Sequence, residues 1–314
     1  MSKFYGLNIR PLDTVPRVPY RDAFLIGDLL TSRMTFLTGE PKAGKSLFAA
    51  AMIRALLEGH EEFIGLPVLR KIDHVIYGYT DDGADEELRE RFIGTEAEGR
   101  ISVLPMYDLE SHGYTWADVV EGVIDARPGL FVLDTVLGSL GDGEDISSSV
   151  TAGQVVKRVR PISEAGIPVL LVTHTPKGTT EGLTVSSSVI GGRAMAGGVR
   201  GVIALRKNKD GRRVQTSINR AREDLDIPVI VTRESPDSEV PVWTRVDGIA
   251  KPSNLRADWK DELIERVLKD QPEVQTYPAL AAIYASEVGR AKDTVVRELR
   301  ARVEPDGTGW KLKG

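Results

Sequence analysis

Short apolar runs recur along the first two thirds of the chain, and stretches with helical spacing fall between them. The runs at 34–38, 75–79, 101–104, 130–134 and 169–173 are rich in β-branched and aromatic residues with few polar interruptions. That is the pattern of strands covered on both faces. Residues 45–57, 85–92, 116–126 and 150–165 place apolar side chains three and four positions apart, and Gly59, Gly129 and Gly166 stand where three of these helices should stop. Strands alternating with helices predict an α/β fold with a mostly parallel sheet flanked by helices.

After residue 173 the pattern changes. A Gly/Ser/Thr-rich stretch at 177–198 leads into a strand at 199–205, the turn Lys207-Asn208-Lys209-Asp210-Gly211 and a strand at 214–220. This reads as antiparallel strands added at the sheet edge. Residues 234–254, with their prolines and a short apolar run at 240–246, read as a last strand and a linker. The remainder differs again. Helical spacing at 259–268, 277–286 and 292–303, a turn at Gly289, and Asp306-Gly307-Thr308-Gly309 before Trp310-Lys311-Leu312 form a winged-helix pattern. Its third helix presents Arg290, Lys292, Arg297, Arg300 and Arg302, with Thr294, Val295 and Leu299 as the apolar face. A small helical cap with a solvated basic face fits the same spacing. The expected organisation is a large α/β domain at 1–233, an edge strand and linker at 234–256, and a winged-helix-like domain at 257–314.

Composition narrows the classes. With 314 residues, 41% hydrophobic and 28% charged, the chain has enough apolar mass for a large core. It contains no cysteine, which excludes disulfides and thiolate zinc sites. The four histidines, His60, His74, His112 and His174, lack ligand spacing. A net charge of -5 does not advertise nucleic-acid binding, so any such contact must come from local basic surfaces. Neither a long apolar span nor a signal-peptide pattern is present, and the expected location is cytoplasmic, away from membrane.

The strongest chemical signal is Gly39-Glu40-Pro41-Lys42-Ala43-Gly44-Lys45-Ser46, which fits G-x-x-x-x-G-K-[ST] between an apolar strand and a helix. The loop N–H groups and the helix N-terminus, continuing into Leu47, can converge on the phosphates of ATP. Lys45 would reach the β and γ phosphates, and Ser46 would ligate Mg²⁺. A second buried strand, Leu130-Phe131-Val132-Leu133-Asp134, ends in a carboxylate suited to hold the Mg²⁺ hydration shell. A third ends in Thr173-His174-Thr175-Pro176-Lys177, where His174 can sense the γ-phosphate and Lys177 can contact DNA or a neighbouring subunit.

These features, with Leu133-Asp134-Thr135 and Ser186-Ser187-Ser188, resemble the RecA-like ATPases of the RepA hexameric helicase group over residues 20–235. The resemblance implies a Glu after the second strand to polarise the attacking water. Here Asp81 and Asp82 in Tyr79-Thr80-Asp81-Asp82-Gly83 stand there, one methylene shorter, and Asp82, Glu86 or Glu144 could substitute for Asp81. It also implies a Lys-x-Arg pair reaching the neighbouring subunit's γ-phosphate; Arg220-Ala221-Arg222 occupies that place, with Arg for Lys. Loops at 177–188 and 190–198 would line a channel, with Lys177, Arg193 and Arg200 adding charge toward single-stranded DNA. The function expected from the resemblance is a hexameric Mg-ATP hydrolase acting on DNA in replication or recombination, as a helicase or translocase of a phage, plasmid or mobile element. A recombination mediator that anneals single strands and a nucleotide-gated DNA-binding regulator are the alternatives.

Overall fold

The computed structural model describes residues 11–107, 109, 111–140, 149–175, 184–189, 196–208, 211–246, 280, 303–306 and 309–312. The chain divides into two compact units, Met1–Val246 and Asp247–Gly314.

The first unit is built on a nine-stranded sheet. In chain order its strands are β1 (Met34–Gly39), β2 (Val75–Tyr79), β3 (Ile101–Pro105), β4 (Leu130–Asp134), β5 (Val169–His174), β6 (Gly201–Asn208), β7 (Gly211–Ile218), β8 (Asp226–Arg233) and β9 (Pro241–Arg245). Their spatial order is β9-β8-β7-β6-β1-β5-β4-β2-β3. From β6 across to β3 every pairing is parallel; β7, β8 and β9 add antiparallel strands on the β6 side.

Four helices cover the sheet: α1 (Lys45–Glu58), α2 (Ala84–Glu90), α3 (Trp116–Ala126) and α4 (Ser149–Glu164). The period of two along each strand divides its side chains between two apolar layers. Leu37, Tyr77, Val132, Leu170 and Val172 pack in one layer with Phe48, Met52 and Leu56 of α1 and Leu88 of α2. Phe36, Ile76, Phe131, Leu133 and Leu171 pack in the other with Val119 and Val123 of α3 and Val155, Val159 and Ile162 of α4. Because both faces are covered, the strands read as unbroken apolar runs rather than alternating ones.

Three expectations for this unit are corrected. The strand expected at 199–205 is not an antiparallel edge strand. It is β6, paired in parallel with the phosphate-loop strand from Gly201 opposite Thr35 to Leu205 opposite Gly39, so the antiparallel extension begins only at β7. The hairpin from β6 to β7 leaves a local signature, whereas the other edge of β6 pairs with a strand more than 160 residues away and leaves none. Gly129 does not stop α3. Arg127 does, taking the left-handed conformation at φ 46 and donating its N–H to the Val123 carbonyl. Gly129 is small for packing, since a Cβ there would lie 2.5 Å from the Ile72 Cβ. Gly59 and Gly166 stand just past their helices at φ 72 and 89, where the sequence puts them. The strand expected at 214–220 ends at Ile218, leaving Arg220 beyond it at φ 72.

In the second unit Val303–Asp306 pairs with Gly309–Leu312 as an antiparallel hairpin, the glycine-turned strand pair of the sequence pattern. Val303 belongs to this strand and not to the expected third helix. The helices expected at 259–268, 277–286 and 292–303 otherwise lie outside the described residues, apart from Leu280, which is helical and fully buried.

Candidate active site

Register alone gathers the candidate chemistry at one end of the sheet. Gly39 pairs with His174, Asp134 with Val172, and Tyr79 with Asp134, so the carboxyl ends of β1, β5, β4 and β2 lie side by side. In open α/β sheets that end is where ligands bind.

The loop between β1 and α1 is shaped by backbone. Lys42 at φ 62 and Gly44 at φ 98 flank Ala43 in left-handed conformations. Gly39 must lack a Cβ, because one would sit 2.6 Å from the Leu205 carbonyl oxygen of β6. Gly44 is the N-cap of α1 and contributes no capping side chain, so the first turn's N–H groups face the loop without a side-chain acceptor. An anion is the natural partner for such a cluster.

Lys45 is 7% exposed. Its Nζ donates to the carbonyls of Gly39 (3.1 Å) and Glu40 (3.2 Å) and contacts His174 Nδ1 at 3.3 Å. An ammonium only donates, so Nδ1 accepts and the neutral imidazole carries its proton on Nε2. Burial pulls the Lys45 ammonium below its ordinary range, and the charges of Asp134 and Asp81 oppose this. Burial and then the Lys45 charge pull His174 down as well, with Asp134 and Asp81 again opposing. Among the described residues no carboxylate is in ion-pair contact with Lys45. A buried cation held by neutral groups at the mouth of an N–H cradle fits a phosphate.

Asp134 is buried, and its Oδ2 accepts from the Tyr77 hydroxyl at 2.6 Å. Burial first, then the Asp134 charge, hold the Tyr77 phenol well above its ordinary value, so it stays a donor. Asp134 Oδ1 and the Ser46 hydroxyl on the first turn of α1 are the groups that would hold Mg²⁺. Asp81 is exposed on the loop after β2, close enough for its charge to act on Lys45, His174 and Tyr77. The Thr80 hydroxyl accepts from the Thr135 N–H at 2.9 Å and so ties the ends of β2 and β4 together.

The structure separates Arg200, Arg220 and Arg222 from this cluster. Arg220 donates to the Val18 carbonyl, and Arg222 lies 4.3 Å over the Tyr20 ring while its N–H donates to Asp28. Because Gly201 pairs with both Thr35 and Ile218, these arginines lie beyond the start of β1. That is at least about 13 Å of strand from the loop. Arg200 is exposed at the same end, its N–H bound to the Met34 carbonyl. Glu144, Lys177, Arg193, Arg290, Lys292 and Arg297 lie outside the described residues. Two residues that the sequence did not single out touch the loop. Arg212 of β7 donates from Nε to the Ala43 carbonyl at 3.1 Å, and Trp243 of β9 stands against Gly44. Nothing local marks them, since the contacts depend on sheet order.

A family model described as AAA domain matches residues 12–180, a little more than half of the chain and the part that carries this cluster. The chain belongs to the AAA domain family. Its members are P-loop ATPases found in RecA-like, helicase-like proteins, which supports nucleotide binding and NTPase chemistry in general. No curated protein matches the chain. No described helix is long and apolar enough to cross a membrane.

Proposed function

We propose that this AAA-family protein is a RecA-like Mg-ATP hydrolase that assembles as a ring or related oligomer and acts on DNA in replication or recombination. The observation that carries the catalytic part is Lys45, buried against two carbonyls and a neutral imidazole with no carboxylate in contact among the described residues. Mg-ATP would supply the phosphoryl group and the counter-charge. Lys45 exchanges the Gly39 and Glu40 carbonyls for phosphate oxygens, and the α1 amides hold the rest of the anion. Tyr77, donating to Oδ2, orients the Asp134 carboxylate for the metal. Asp81 orients a water and accepts its proton, and His174, neutral and bonded to Lys45, reports whether a phosphate has drawn the lysine away.

The oligomeric part is supported by the distance of Arg220 and Arg222 from their own loop. Arginines at the far end of the sheet serve a phosphate only if it belongs to a neighbour. The DNA role draws on the resemblance and on the cations clustered at 290–302, with a helicase or translocase as the leading form.

The test is ATP turnover by single and mixed variants. Lys45→Ala abolishes turnover, as does Arg222→Ala, and mixing the two recovers part of the activity because some junctions unite an intact loop with an intact arginine. Retained turnover in Lys45→Ala would remove the site assignment. No recovery at any mixing ratio would remove the trans arginine.

A further inference from the structure

Ala43 presents a structural problem that the family match does not cover. In an anion cradle the N–H groups point inward, so the Ala43 carbonyl between left-handed Lys42 and Gly44 must point outward. Ala43 is fully buried, and an outward carbonyl in a buried setting needs a donor. Arg212 Nε provides it at 3.1 Å. The same guanidinium lies 5.9 Å over the Trp243 ring. That ring fills the space beside Gly44, where a Cβ would be 3.4 Å from it, and meets Phe48 of α1 edge to face at 5.0 Å. Both residues come from the antiparallel extension, outside the matched 12–180.

We propose that Arg212 and Trp243 are positioning residues that hold the phosphate loop in its anion-receptive form from the outside, so that the β7–β9 extension sets the affinity of the site for nucleoside triphosphate. Arg212 fixes the direction of the Ala43 carbonyl and hence of the Gly44 N–H in the same peptide plane. Trp243 is the wall that keeps Arg212 and Gly44 in place. Its indole N–H is buried without a hydrogen-bond partner among the described residues. A donor left unpaired is a liability that phenylalanine would not carry, so the position uses the ring's area and face rather than its polarity. The proposal rests on the site binding ATP, as argued above.

The experiment is Mg-ATP turnover kinetics and ATP titration on the full chain. Arg212→Ala raises KM and Kd for ATP by about tenfold or more while kcat falls less than about threefold, the signature of lost loop organisation rather than lost chemistry. Arg212→Lys, which restores a donor, recovers part of the affinity. Trp243→Phe behaves as the unsubstituted protein, and Trp243→Ala follows Arg212→Ala. In a variant with Trp243 as the sole tryptophan and Arg212 intact, saturating ATP shifts the emission, a readout available even if Arg212→Ala does not fold. Unchanged ATP affinity in Arg212→Ala, a collapse of kcat at unchanged Kd, or emission indifferent to ATP would each overturn the proposal while leaving the ATP site standing. Absence of ATP binding by the unsubstituted chain would remove the site assignment itself and this inference with it.

Discussion

His174 stands between a lysine ammonium and the carboxylates of Asp134 and Asp81, half out of water, and the balance disfavours its charged form. The unfolded chain takes up a proton at this residue near pH 6.5, the folded chain only at lower pH. Between those values the unfolded state binds more protons, so stability falls as pH falls through about 6.5 and levels off once the folded imidazole is also protonated. The expected outcome is a loss of thermal stability between pH 7.5 and 5.5 that is smaller in His174→Gln, measured as unfolding midpoints in nucleotide-free protein. Parallel pH profiles for the two proteins would contradict it. At this scale Lys45, Asp134 and His174 were legible because each ends an apolar strand or opens a helix, which fixes its place without knowledge of the rest of the sheet. Arg212 and Trp243 were not legible. Arg212 is one arginine among several in a polar hairpin, and its partner Ala43 is 169 positions away. The arginines 220 and 222 were legible as a pair, yet only the register shows that they face away from their own loop.

Parallel strands were easy to find and their neighbours hard. A strand covered on both faces declares itself by composition, so β1, β2, β4 and β5 lie within a residue or so of the expected runs. Which strands touch is decided by crossover connections and has no local trace, which is why β6 looked like part of a simple hairpin. The junction of β2 and β4 is a case where neighbourhood decides a residue. Gly138 approaches Thr80 so closely that a Cβ would lie 2.4 Å from its hydroxyl oxygen and 2.5 Å from its Cβ. The same hydroxyl accepts from the Thr135 N–H and joins the strand that leads to Asp81 to the one that ends in Asp134. Gly138→Ala must push these ends apart, at an expected cost of about 1–3 kcal/mol as overpacking in a filled site. Denaturant unfolding measures that loss. ATP turnover should fall with it, because Asp81 and Asp134 move relative to each other. A variant as stable and active as the original would show that the junction yields without consequence.

The division at residue 246 separates a unit that holds the whole nine-stranded sheet and the candidate site from one whose cations cluster at 290–302. A domain with its own core and sheet can fold alone. The chain 1–246 is therefore expected to unfold in one cooperative transition and to bind ATP within about threefold of the full chain, since Lys45, Asp134, Arg212 and Trp243 all lie inside it. Its DNA affinity separates the roles of the two units. The full chain carries a net charge of -5, so binding to a polyanion depends on clustered cations, and those at 290–302 would be lost. If they touch phosphates, the truncated chain binds single-stranded DNA more weakly, and the slope of log affinity against log salt becomes shallower by roughly 0.7 for each contact removed. Fluorescence anisotropy at several salt concentrations reads both quantities. An unchanged slope with unchanged affinity would assign DNA contact to the first unit alone, and the C-terminal arginines would then be a solvated face.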